Sequence, residues 1–271
     1  MSSAHMVLYR FLFACIGLAP VLLLRRPGLN AREWRILLGA AFLGVPLQFL
    51  LQFAGLARTT VSHAALMVGT LPVVLAVGAG IFAHERLNRI GWAALAASTT
   101  GAALIALGGS HRGSLGDIPS LAGDMLVVVS LMISLGWILM NQRLLRDHSP
   151  LVVTAYGLSA GTVMLAAWVF SVDGPPPIHI SMTAWGALAA SGLLGTASTT
   201  LLWNWGLTRV PASRAGVFLN MEPIIGSLLG VGLLGEHLGP VAWMGGAMIV
   251  GAAVTLTSRP GSHVEEERLL A

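Results

Sequence analysis

The chain has 271 residues, of which 55% are hydrophobic and only 10% charged, and its mean hydropathy is +0.80. A water-soluble domain carries about 25% charged residues, so this chain cannot cover a soluble globule of its size. The same count excludes a disordered chain, and the absence of a short period excludes a fibrous one.

An integral membrane protein remains. All 15 basic residues are Arg, and they fall in short gaps between apolar runs. That distribution argues against nucleic acid as a partner, although the pI is about 10.5. Cys15 is the sole cysteine and lies in an apolar run, so no disulfide framework is expected. The first run lacks a small-residue cleavage site and leads straight into further spans.

A membrane helix needs about 20 mostly apolar residues. Nine such segments are predicted, at 6–24, 33–55, 62–83, 90–109, 120–141, 151–171, 182–206, 213–234 and 240–257. The ten-residue polar/apolar alternation of a membrane barrel is absent. Trp34, Trp92, Trp185 and Trp243 stand near span starts, where an amphipathic ring prefers to sit. Three Arg fall on the side of the N-terminus (Arg10, Arg58 and Arg112) and twelve on the other. This bias predicts that the other side is cytoplasmic. The expected location is the cell (inner) membrane, multi-pass, with the C-terminus and the tail 259–271 inside.

The sequence repeats. A shift of 151 residues, without a gap, places Trp34 on Trp185, Gly44 on Gly195 and Gly55 on Gly206. It also places Arg58 on Arg209, Pro72 on Pro223, Glu85 on Glu236 and Trp92 on Trp243. Residues 34–103 share 17 identities with 185–254, where chance would give about seven. Five spans separate a helix from its copy, so the copies cross the membrane in opposite directions. This inverted-topology repeat is typical of secondary transporters. The predicted repeats are 1–111, with four helices, and 119–258, with five. The partner of span 120–141 would precede residue 1, so a first helix is expected to be missing.

Several runs carry a family resemblance. Gly123-Asp124 leads into an apolar helix that runs on to Trp137 and Arg143. Pro72 with Glu85-Arg86-Leu87 is echoed by Pro223 with Glu236-His237-Leu238. To these are added Phe218 to Pro223 and Tyr9-Arg10-Phe11. In these the chain resembles the drug/metabolite transporter superfamily, specifically its EamA-type members. The resemblance implies an all-α bundle of two inverted repeats, with ten helices where this chain has nine, and both termini cytoplasmic.

Glu222 is the sharpest candidate, placed near the middle of span 213–234. A carboxylate there is costly unless paired or wet, and desolvation favours proton exchange near neutral pH. Its repeat partner is Leu71, so scaffold symmetry does not require it. Proton coupling, or binding of a substrate amine, is the functional reading. A protonated Glu bonded to a neighbouring helix is the plain one. Asn220 lies two residues earlier, on a different face. Pro223 and Pro72 are candidate hinges, or simply sources of curvature.

Gln48 and Gln52 share one face of span 33–55, as Trp137 and Asn141 share one face of span 120–141. With Asn204 and Trp203 they are expected either to line a central cavity or to bond between helices. Arg10 either attracts an anion or snorkels to the interface.

No metal site and no cofactor is expected, since the His84-Glu85 and Glu236-His237 pairs lie on opposite sides. Hydrolase and phosphate-loop signatures are missing, so an enzyme is not expected. The partners expected are a small-molecule substrate and the lipid bilayer, with a homodimer as one open assembly. A secondary transporter of small metabolites or drugs across the plasma membrane, working in efflux by alternating access with proton coupling, is the leading reading. The alternatives are a membrane structural or regulatory protein without transport and a nucleotide-sugar or phosphate exchanger.

Overall fold

The structure, a computed structural model, describes residues 2–58, 68–82, 84, 87–108, 121–234 and 239–257. Among the described residues all regular structure is helical, and each of the nine predicted spans contains a helix. The elements are α1 (Ser3–Leu24), α2 (Ala31–Phe42), a π-turn π1 (Leu43–Leu47), α3 (Gln48–Leu56), α4 (Leu71–Phe82), α5 (Arg89–Gly108) and α6 (Leu121–Leu144). They continue as α7 (Pro150–Val172), α8 (Met182–Gly192), a second π-turn π2 (Leu193–Ser198), α9 (Thr199–Leu207), α10 (Ala212–Leu219), α11 (Met221–Leu234) and α12 (Pro240–Thr257). Among the described residues, four segments are long and apolar enough to cross a bilayer by length and composition: Ala4–Leu24, Ala31–Leu56, Leu121–Leu144 and Pro150–Val172.

Local chemistry sets the helix starts. Asn30 and Glu33 form a capping box on α2, with the Asn30 side chain accepting from the Glu33 amide at 2.9 Å. Ser149 and Ser181 cap α7 and α8, and Pro150 opens α7 where its missing N–H costs nothing.

Two compact units form, and each takes segments from both sequence repeats. One holds Met1–Thr60 with Asp117–Ala212, the other Val61–Gly116 with Ser213–Ala271. In the first unit the repeats exchange partners. Helix α1 packs on α8 and π2, while its copy α7 packs on α2 and π1. Helix α6 lies along α2, π1 and α3. Phe11, Leu8, Leu165 and Val169 are at the centre of the core. Tyr9 pins the start of α1 by donating to the Pro177 carbonyl at 3.0 Å and meeting Trp185 edge-on at 4.9 Å.

In the second unit α5 packs along its own copy, α12. Ala94 and Leu95 share a core cluster with Ala252, whereas Gly101 and Ile105 meet Gly245. Contacts that climb one helix while descending the other make the pair antiparallel. Two copies related by an inverted repeat pack in this way.

The repeats also share their irregularities. π1 and π2 fall at matching places under the 151-residue shift, but different chemistry holds each open. In π1, Pro46 lacks an N–H and its ring crowds the preceding turn, and the Gln48 amide reaches back five residues to the Leu43 carbonyl. In π2 no proline is present. Instead Thr196, Ser198 and Thr199 donate their hydroxyls to the carbonyls of Ser191, Leu193 and Leu194, each five residues back.

A second matched pair lies ahead of the repeated prolines. Helix α4 begins at Leu71 after a turn at Gly69–Thr70, and α11 begins at Met221 after a turn at Asn220. Span 213–234 is therefore two helices, not one kinked helix. Pro72 and Pro223 sit in first turns, where their missing N–H breaks no helical bond. Glu85, Glu236 and the tail 259–271 lie outside the described residues.

Candidate functional site

The first unit brings three of the predicted polar residues together. Trp137 and Asn141 stand four apart on α6, and Asn204 on α9 is fully buried. The Asn204 amide donates to Thr154 Oγ1 on α7 at 2.9 Å and accepts from the Asn141 amide at 3.4 Å. A buried amide without partners would cost several kcal/mol, roughly 2–7. This relay across three helices supplies those partners, while Asn141 Oδ1 and one N–H on each amide keep bonding capacity.

Asn141, Asn204, Thr154 and Trp137 border a small pocket, with Ala41, Val45 and Gly157 also in its wall. It is about the size of one water molecule. Trp137 reaches it because Gly44, within π1, has no side chain: any Cβ there would collide with the indole.

Arg10 lies on the same unit, in α1. Its Nε donates to Thr196 Oγ1 at 2.5 Å and its Nη2 to the Gly195 carbonyl at 3.0 Å. Both acceptors belong to π2. Cζ stands 5.8 Å from the Phe49 ring centroid. The guanidinium therefore bonds inward to a neighbouring helix and does not snorkel freely to the interface.

The other predicted residues lie elsewhere. Gln48 and Gln52 are half-buried on α3 and are not among the pocket's lining residues. Trp203 is half-buried, and its indole N–H is buried without a partner among the described residues. Asn220 belongs to the second unit, buried and donating to Ser98 Oγ at 2.9 Å. Glu222 is the second residue of α11 and is exposed on that unit, as are Phe218 and Ile225. It makes no pair with Asn220.

Sequence reasoning missed Thr154 and Thr196. A lone threonine in an apolar helix gives no periodic signal. Thr196 did carry one: the run Thr196, Ser198, Thr199, Thr200 puts four hydroxyls in a membrane span, and such hydroxyls bond to the backbone and distort helices.

Apolar helices in two sequence copies, with buried amides and an arginine bonded between helices of the first unit, define a multi-pass helical membrane protein. The EamA-like transporter family matches residues 1–107 and 121–258, and the chain belongs to that family. Among relatives, the threonine/homoserine exporter RhtA of Escherichia coli is 30% identical over 132 residues, covering 48% of this chain and 44% of that one. The probable terminal-alkyne amino-acid exporter of Streptantibioticus cattleyicolor is 27% identical over 203 residues, covering 72% and 64%. The chain spans 57% of the length of another match, the uncharacterized transporter YyaM of Bacillus subtilis. A solved crystal structure superposes with TM-score 0.76 at 20% identity, covering 94% of this chain and 86% of that one, which bears on the fold alone.

Proposed function

We propose that the protein is a secondary transporter that exports small polar metabolites across the cell membrane by alternating access, with its C-terminus in the cytoplasm. The observation that carries this reading is the buried relay of Asn141, Asn204 and Thr154 beside Trp137. It presents spare amide donors and acceptors next to an aromatic wall. The pocket admits a water molecule and no metabolite. The two exporters among the relatives make amino acids the first substrates to try.

Glu222 is proposed to carry a coupling proton. The apolar Leu71 at the matching repeat position supports that role, since the scaffold does not require a charge there. The paired interruptions ahead of Pro72 and Pro223 are proposed as joints at which α4 and α11 tilt. The repeats 1–111 and 119–258 are taken as the duplicated units.

The test is counterflow of L-threonine and L-homoserine in proteoliposomes at a fixed pH gradient. Export in the wild type, lost in Asn204→Leu and made independent of the gradient in Glu222→Gln, is expected. Absence of counterflow for every small polar metabolite tried in the wild type would sink the transport reading. Unchanged coupling in Glu222→Gln would remove that residue's role.

A further inference from the structure

Arg10 marks the place where the two repeats stop matching. The 151-residue shift sends Arg10 to Gly161, Ala41 to Gly192, Gly44 to Gly195 and Val45 to Thr196. In one copy Gly161 lies flush on α2 and π1: a Cβ there would stand 2.6 Å from Val45 Cβ and 2.9 Å from the Ala41 carbonyl. In the other copy the Arg10 backbone abuts Gly192 in the same way, and its guanidinium reaches Thr196 and Gly195. One packing site is thus filled by glycine and valine in one half, and by arginine and threonine in the other. The scaffold itself needs no charge there.

That charge has no carboxylate partner among the described residues; its two bonds go to a hydroxyl and a carbonyl. A guanidinium offers five N–H donors, so three remain. The space beside it is open. Gly195 is exposed, and the nearest atoms to a Cβ placed on it would be Ser191 Oγ at 3.9 Å and Arg10 Nη2 at 4.0 Å. The Phe49 ring, 5.8 Å from Cζ, faces the cation but carries no formal charge, and a cation without a counter-charge in a membrane span marks a functional site. The arginine fork matches a carboxylate in two-point geometry.

We infer that Arg10, held by Thr196 beside the open turn at Gly195, binds the carboxylate of the transported molecule through its remaining N–H groups. The substrate class is then small organic acids and zwitterions, and not amines or neutral drugs. This deepens the transport reading above and rests on it.

The test is ligand-induced thermal stabilisation of the purified full chain in detergent. The probes are butyrate, 2-hydroxybutyrate and L-threonine, each compared with its primary amide. The wild type is expected to respond to at least one acid at concentrations ten-fold or more below its amide. Arg10→Gln is expected to level the two, and Arg10→Lys, which keeps the charge and loses the fork, to fall between them. Equal responses to acid and amide in the wild type, no response to any acid, or an acid preference that survives in Arg10→Gln each overturn the inference. Should Arg10→Gln not fold, the wild-type comparison and Arg10→Lys decide it. Acid-selective binding without counterflow would instead overturn the transport reading, so the two failures are distinguishable.

Discussion

The backbone carbonyls of Gly101 and Gly245 each stand where the other residue's Cβ would be. Helix α5 and its copy α12 touch backbone to backbone at this point. In a membrane, small residues that permit such approach are a main source of helix association, because lipid is as apolar as the side chains.

Replacing either glycine with leucine should therefore wedge the pair apart. Gly101→Leu and Gly245→Leu are each expected to destabilise the second unit by about 1–3 kcal/mol, the usual cost of overpacking. Gly251→Ala, where a Cβ meets nothing within 4 Å, is the control and should be neutral. Thermal unfolding followed by size-exclusion chromatography reads this directly, and equal melting of all three variants would contradict the close contact.

Asn204 predicts a different balance. Asn204→Leu removes two hydrogen bonds and strands Thr154 and Asn141. The expected loss is about 1–3 kcal/mol, because buried groups are left unpaired. Thr154→Val breaks one bond and keeps the shape, so it should cost less, near the 0.6 kcal/mol or so typical of a membrane hydrogen bond. Denaturation midpoints of the two variants rank them, and a larger loss in Thr154→Val would show that the relay is not centred on Asn204.

The π-turns can be probed by amide hydrogen exchange. Pro46→Ala restores a donor and removes the ring that crowds π1. Protection is expected to rise across residues 46–50 as the turn tightens. In π2 the triple change Thr196→Val, Ser198→Ala, Thr199→Val removes the three hydroxyl bonds to the backbone. Exchange there should change while π1 stays as it was. Coupled changes in both turns would show that they are not independently held.

Topology is open to a labelling test. Cys15 is the one native thiol, so Arg58→Cys and Arg209→Cys can be placed singly in a Cys15→Ser background. An impermeant maleimide is expected to reach residue 58 from outside and residue 209 only from the cytoplasmic side. Labelling of both from one side would remove the inverted orientation of the copies.

Much of this architecture was legible in the residues. Composition gave the class, and the apolar runs marked where helices fall. The matched Trp, Gly, Arg and Pro positions gave the duplication. Asn141 and Asn204 stood out because amides in an apolar helix must find partners, and the structure pairs them. What stayed hidden depends on which helix meets which. No periodicity tells α1 to pack on the other repeat's α8, so the compact units cut across the sequence repeats. Asn220 looked like mid-helix because its neighbours are apolar. The break there comes from Pro223 being placed in a first turn, which span length does not reveal. The same break makes Glu222 the second residue of a new helix.

The two π-turns bear on ancestry. Each adds one residue to its helix relative to an α register, so a matching slip in both halves implies that the insertion is older than the duplication. Proline in one half and a row of hydroxyls in the other are separate ways of keeping the same bulge from closing.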